Sequence, residues 1–324
     1  MITRTVRGMA TKKRTGIPLQ RLIIGLFLFG LIVIFSLVSP SFFNSQNLLN
    51  IVRQVSYVII AGSGITLLMI AGYLDLSVGS AAALSGVAMA LLAQAGVPMP
   101  VAILFAVFLG IVLGLANGLL TARFGIPPFI ATLGTMMIFR GTALILSDGK
   151  TVRDNLPQSF GFLGRGEFLG LPFPFWFMLL SVLLMLILQK RSLLGKYSIA
   201  MGGNRLAAEL SGINVKRMVF LLYTIVGGLV GFTGAIQASR LGVGEPNIGV
   251  GFEFDVIVAV ILGGTTLTGG EGSVIGMVIG AMIVGVISNG LDLLGVMTFY
   301  QSIIKGVILV VAVLLDQSIR KRNS

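Results

Sequence analysis

The chain carries 11 Asp or Glu and 23 Lys or Arg but neither histidine nor cysteine. Thiolate nucleophiles, disulfides, histidine metal sites and histidine proton relays are therefore excluded. Three carboxylates stand in apolar surroundings: Asp75 in AGYLDLSVGS, and Glu253 and Asp255 in FEFDVIVAV. Asp75 precedes Ser77, where a carboxylate can cap the free amides of a helix start and complement its dipole. In the functional alternative, Asp75 and Asp255 hydrogen-bond a polyol or gate a path, since ionisable groups at membrane depth are functional candidates. Arg140 and Lys305 fall towards the outer ends of apolar stretches, where each either snorkels to the surface or pairs inside. The uncharged groups Thr66, Ser85, Asn117, Thr132, Thr135, Thr224, Gln237, Asn289 and Gln301 complete the set. Together they suit a neutral polar solute better than an ion or a peptide, although interhelical hydrogen bonding is the alternative duty of any one of them. The pathway or gating candidates are Asp75, Ser77, Asn117, Thr132, Arg140, Asp255 and Asn289.

No catalytic constellation accompanies these residues. The basic stretch GMATKKRT lacks the glycines and the preceding strand of a P-loop, and G-x-S-x-G and H-E-x-x-H are absent. Neither a catalytic residue nor a metal nor a cofactor is expected. If ATP drives this protein, another polypeptide hydrolyses it.

Mean hydropathy of +1.01, 56% hydrophobic residues and 10% charged residues do not fit a soluble globule, in which about a quarter of residues are charged. The expected class is an all-α polytopic membrane protein. One span needs about 20 apolar residues, and ten candidate spans follow: 22–38, 51–70, 77–95, 100–120, 128–146, 173–189, 218–238, 254–266, 274–289 and 298–316. The eighth and ninth are short enough to be broken helices. Residues 1–21 form a basic N-terminal segment, 22–316 a single transmembrane domain and 317–324 a C-terminal segment. The first apolar run lacks a small-residue cleavage site and reads as an uncleaved span.

The formal net charge is +12, and its distribution points to membrane topology, not to nucleic acid. With an even number of spans and both termini inside, sixteen of the 23 Lys and Arg fall in inside segments and four in outside loops. That split follows the positive-inside rule.

Two matched stretches suggest an internal repeat. NGLLTARFGIPPF (117–129) aligns with NGLDLLGVMTF (289–299), pairing Asn117 with Asn289; LDLSVGSAAALSG (74–86) aligns more weakly with FEFDVIVAVILGG (252–264). These shifts carry spans 2 to 5 onto spans 7 to 10, and an odd offset inverts the second copy in the bilayer. Small residues at i, i+4 spacing, Gly110, Gly114 and Gly118 and then Gly227 and Gly231, mark close helix packing.

Two polar loops interrupt the apolar pattern. The outer one, 147–172, is punctuated by glycine and proline and is either a docking surface or a plain connector. The inner one, 190–217, reads KRSLLGKYSIAMGGNRLAAELSGINVKR and carries six Lys or Arg. It contains one short expected helix, 206–210, closed by Gly212 at a left-handed cap position. A small knob on a basic loop is a plausible handle for another protein.

AGYLDLSVGS, FIATLGTMMIFRG, AMGGNRLAAELSGINV and FEFDVIVAVILGGTTLTGGEGSVIG, in this order and spacing, resemble the signature stretches of ribose-type ABC sugar importer permeases. The resemblance runs from about Leu48 to Asp316 and departs at Tyr73 and Leu74, where the family usually has Gly-Ile. It implies the type II importer fold, two permease copies around one path, an ABC ATPase beneath each and a periplasmic sugar-binding protein outside. It also implies a multi-pass protein of the bacterial inner membrane whose termini are both cytoplasmic. By the same likeness AAELSGINV corresponds to the loop that couples to the ATPase, with Asn204, Ala207, Ala208 and Gly212 at its matching positions. The implied activity is ATP-driven uptake of a pentose, hexose or related small polyol by alternating access. A stand-alone secondary transporter and a passive channel are the other classes open to such a composition; an intramembrane enzyme fits poorly.

Overall fold

The computed structural model describes residues 19–323; most of the basic N-terminal segment and Ser324 lie outside the described residues. Helices α1 (Leu19–Val38), α2 (Ser45–Ile70), α3 (Val78–Gln94), α4 (Met99–Gly118) and α5 (Pro128–Leu146) form the first part of the bundle. A one-turn helix α6 (Phe162–Arg165) and a two-stranded hairpin, β1 (Glu167–Phe168) with β2 (Leu171–Pro172), lead to α7 (Phe173–Arg191). Then come α8 (Leu193–Gly203), α9 (Arg205–Leu210), α10 (Val215–Leu241), α11 (Phe252–Leu262), α12 (Val274–Leu293) and α13 (Thr298–Asn323).

Local chemistry explains where these helices start. Prolines in the first turns of α4, α5 and α7 supply a preset φ where no backbone donor is needed. Asn44, Ser192, Asn204, Asn214 and Ser273 cap α2, α8, α9, α10 and α12 through side-chain oxygens, each satisfying an amide that the helix leaves free.

Each of the ten expected segments contains a helix. Six helices, α2, α4 with its following π turn, α5, α7, α10 and α12, are long and apolar enough to cross a membrane, whereas Ile24–Val38, Val78–Gln94 and Phe299–Val311 are shorter apolar helices. The expected eighth span is indeed short, with α11 only 11 residues long. The ninth is not: α12 has 20 residues. It runs on past Asn289 to Leu293 and ends where Gly295 takes φ +70° and its amide and that of Val296 return to the Asp292 and Leu291 carbonyls.

α2 is buried along most of its length and sits among α7, α10, α11 and α12. α10 packs along α4 and also on α3, while α3 packs on α4 and α5; in the later part of the chain α12 packs on α2, and α11 packs on α2, α12 and α13. Glycines set the α4 and α10 contact. A Cβ added at Gly114 would sit 2.9 Å from the Gly227 Cα, and one at Gly110 would sit 2.6 Å from the Gly231 Cα. The sequence numbers run in opposite directions along this seam, so the two helices are antiparallel, and backbone contact replaces side-chain packing there.

The loop 147–172 is folded. Ser239 donates to the Phe160 carbonyl at 2.6 Å and accepts from the Gly164 amide at 2.8 Å, while Arg53 pairs with Glu167 at 2.8 Å. Residues expected at the outer ends thus gather at one end of the bundle, and α8 and α9 lie at the other.

Candidate functional site

Four residues from three elements converge on a buried polar node. The segment 71–77 leaves α2 and places Asp75 so that its Oδ1 accepts from the Ser77 amide at 2.8 Å and from the Ser77 hydroxyl at 2.6 Å. Asn117, near the end of α4, donates its amide to Ser77 Oγ at 2.8 Å and reaches both Asp75 oxygens at 3.3 Å. Thr135, on α5, donates to Asn117 Oδ1 at 2.6 Å. All four are buried, Asp75 at 4% exposure.

This arrangement sharpens the capping expectation for Asp75. Its carboxylate holds the Ser77 amide, one residue before α3 begins, and Ser77 itself makes no side-chain cap bond. The node therefore joins α3, α4 and α5, a longer reach than a helix cap. Its partners are all uncharged: the Ser77 amide and hydroxyl and the Asn117 amide. Thr132 lies beside it and is fully buried, but donates to its own helix at the Pro128 carbonyl, 2.8 Å away.

The other candidates stand apart from this node. Asn289 exchanges two hydrogen bonds with Asn47, at 2.8 and 3.0 Å, and Asn47 also donates to the Phe42 carbonyl. Asn117 and Asn289, matched in the sequence alignment, thus make different contacts: one ties α4 to α3 and α5, the other α12 to the start of α2. Asp255 pairs with Lys305 at 2.9 Å between α11 and α13, and its Oδ1 is buried without a hydrogen-bond partner. Lys305 accordingly pairs inside.

Arg140 does the same, through backbone. Its guanidinium donates to the carbonyls of Pro246 and Ile248, the latter at 2.8 Å. These carbonyls belong to the segment 242–251, which runs back along α3: Gly244 lies against Ala90 and Val87, and Gly249 against Gly79. Eleven helical residues separate Ala90 from Gly79, a descent of about 16 Å. Non-helical backbone is tolerated at such depth only when buried in protein or lining water. A Cβ at Gly79 would meet the Gly249 carbonyl and stand 2.5 Å from a Glu253 carboxylate oxygen, so the end of this segment reaches α3 two residues beyond Ser77.

The polar loop 190–217 holds two helices where the sequence suggested one. α8 was illegible because Gly195, Lys196 and Gly202 interrupt its apolar face; Gly202 is required by close backbone contact with Ile70 and Gly270. α9 begins at Arg205, one residue earlier than expected. Asn204 caps it by accepting from the Ala207 amide at 2.9 Å, and Gly212 ends it at φ +85° with open space around its Cα, a conformation in which a Cβ is costly. Ala208 is buried and turns inward, whereas Ala207 is exposed. The outward face also carries Leu206 and Leu210, 67% and 81% exposed, which sequence reasoning missed. Their i, i+4 spacing on so short a helix was the available signal.

The loop is braced against the rest of the chain. Gly270 donates to the Ile70 carbonyl at 2.8 Å, and a Cβ at Gly269 would meet the Cα atoms of Gly202 and Gly72, both at 2.9 Å. Gln189, at the end of α7, donates to the Gly272 carbonyl at 3.0 Å and accepts from the Val274 amide at 3.2 Å. Among the described residues no group of three or more Asp, Glu, His or Cys is arranged to hold a metal.

Residues 47–313 match the family model described as branched-chain amino acid transport system / permease component. The chain is 39% identical over 319 residues to the ribose import permease protein RbsC of Escherichia coli strain K12, covering 98% of this chain and 99% of that one. It is 42% identical to the protein of the same name from Bacillus subtilis strain 168, with 91% of each covered. The D-allose transport system permease protein AlsC of Escherichia coli strain K12 is 39% identical, with 90% of each covered. No solved structure matches the chain.

Proposed function

Since the chain belongs to the branched-chain amino acid transport system / permease component family, and is thereby a multi-pass membrane transport subunit and not an enzyme, we propose that it carries a small sugar inward in an ATP-driven importer. The observation that carries this reading is α9: a separately capped helix that presents Leu206 and Leu210 outward, with no partner for that face among the described residues. It fits a cleft on an ABC ATPase, with Asn204, Ala207 and Gly212 shaping the knob and Ala208 seating it. Motion of α9 has a stiff route inward, through α8 and the backbone contact of Gly202 with Gly72, to the segment that carries Asp75.

Two inverted halves working by alternating access are supported by the packing. α4 lies on α10 as α12 lies on α2, and α3 packs on α4 and α5 as α11 packs on α12 and α13. The shift of 178 residues takes Ser77 to Asp255, and each makes a polar contact in its own half. In this reading the Asp75 node, Thr132, Arg140 and the Asp255 and Lys305 pair are gating elements, which set the two arrangements without binding sugar tightly. Affinity then resides in a periplasmic sugar-binding protein that docks on the outer loops, and two copies of this chain surround the path in the bacterial inner membrane with all termini cytoplasmic.

Ribose, allose and arabinose are the cargo classes in the names of the relatives, which include the L-arabinose ABC transporter permease protein AraH of Azospirillum brasilense at 37% identity. The family description favours a branched-chain amino acid as the second reading. Uptake into reconstituted vesicles separates them, with labelled ribose, allose, arabinose and leucine offered in turn. Sugar uptake that requires the ATPase, the binding protein and ATP is expected. Transport by this chain alone would overturn the ATP-driven reading in favour of a secondary transporter or channel.

A further inference from the structure

A cavity of about 270 Å³ opens at the end of the bundle that carries α8 and α9, and the transport reading above assigns it no ligand. Its wall is the turn between α4 and α5, from Thr121 to Pro128, closed on the other side by Tyr73, Arg205 and Lys216. Three cations from three separate elements therefore face one space. Arg123 ends the π-helical turn Leu119–Arg123 that follows α4, Arg205 opens α9 and Lys216 lies in the first turn of α10. The wider π turn re-aims Arg123 relative to a continuing α-helix, a feature that recurs at functional sites.

The charge of this cavity is unbalanced. Glu209 pairs with Arg205 at 3.1 Å, while among the described residues Arg123 and Lys216 have no carboxylate within ion-pair distance. Like charges held around a cavity favour an anion that neutralises them, and guanidinium and ammonium donors suit a phosphate. The Tyr73 phenol adds a neutral donor. Beside the opening, Phe124, Phe129 and Ile130 are 66%, 55% and 60% exposed, so the cavity meets an apolar outer surface of the bundle. Basic pockets at such positions take anionic head groups.

We infer that the cavity bounded by Arg123, Lys216, Arg205 and Tyr73 is a binding site for a phosphate-bearing anion, supplied either as a lipid head group or as a free phosphate compound. An anion there would bridge the α4 and α5 turn to the base of α9 and α10, joining the knob to the helices of the buried node.

The test uses the full chain in nanodiscs of phosphatidylcholine. Native mass spectrometry reads retention of added phosphatidylglycerol, and calorimetry at low ionic strength reads binding of inorganic phosphate and of ribose 5-phosphate. Arg123→Gln and Lys216→Gln are each expected to weaken binding of whichever probe the wild type takes by roughly tenfold, the loss of one charge-assisted contact. Arg123→Lys, which keeps the charge, is expected to retain most of it, and salt is expected to weaken the wild type. Retained lipid that neither soluble phosphate displaces identifies a head group; displacement identifies a free anion. The inference is overturned if the wild type binds neither probe, or if both charge-removing variants bind as the wild type does. It is equally overturned if those variants lose only affinity for the ATPase subunit, which would assign the cations to a protein partner.

Discussion

The phenol of Tyr223 donates to the carbonyl of Leu74 at 2.7 Å, across the gap between α10 and the segment that positions Asp75. Tyr223 is fully buried and also meets the Tyr73 ring edge-on at 6.5 Å. A displacement of α10 therefore drags the segment 71–77. Tyr223→Phe keeps the packing and leaves a buried carbonyl unpaired, which costs about 1–3 kcal/mol. A lower melting temperature of the purified permease is expected, together with slower uptake per folded molecule. Unchanged values of both would remove this contact from the account.

Asp75→Asn replaces an acceptor that serves Ser77 and Asn117 with a group that is half donor. The Asn117 amide then faces another amide, and the node loses about 1–3 kcal/mol. The amount of assembled protein, read by fluorescence-detected size exclusion, is expected to fall before uptake per assembled molecule does. Full assembly with abolished uptake would instead assign Asp75 to the pathway.

Gly114→Leu drives a side chain into the backbone of α10, where the Gly227 Cα stands 2.9 Å from the position of a Cβ. Overpacking of this kind costs about 1–3 kcal/mol or more when backbone must move. Gly134→Ala is the control, because nothing lies within 4 Å of the added carbon. Only the first is expected to lower the yield of folded protein from membranes.

Lys305→Met leaves Asp255, one of whose oxygens is already without a hydrogen bond, without its cation. Removing one partner of a buried pair costs about 3–5 kcal/mol; with the lysine side chain 27% exposed and the aspartate 19%, the lower end applies. Adding Asp255→Leu is expected to restore thermal stability, since an apolar pair of similar size removes the uncompensated charge. Failure of the double variant to recover would show that the pair does more than neutralise itself.

Gly212→Asp tests the knob. The position has φ +85° and open space around it, and Asp tolerates the left-handed region better than most residues. The variant is expected to insert and fold, yet to hydrolyse ATP in the assembled importer without moving sugar. Normal uptake would count against the coupling role of this loop.

Legibility followed the range of the interactions involved. Apolar runs placed a helix in each of ten segments because a chain that crosses lipid must satisfy its backbone within each helix, a requirement written residue by residue. The positions of α9 and of its left-handed glycine were equally local. α8 was hidden, since its glycines are tolerated only through contact with Ile70 and Gly270, residues far away in the chain. The candidate residues divided in the same way. Asp75, Ser77 and Asn117 stood out by type, but nothing local separated them from Asn289, which forms a different tie with Asn47.

By itself the sequence determined the membrane class, the helix starts set by proline, serine and asparagine, and the short capped knob, all consequences of composition and nearest neighbours along the chain. Only the tertiary structure decided that Thr135 joins the Asp75 node, that Arg140 grips the backbone of 242–251, and that Arg123, Arg205 and Lys216 share one cavity. Those outcomes depend on which helix faces meet. In lipid that choice is made by glycine-scale backbone fit and by the need to pair each buried polar group, neither of which is a property of one segment alone.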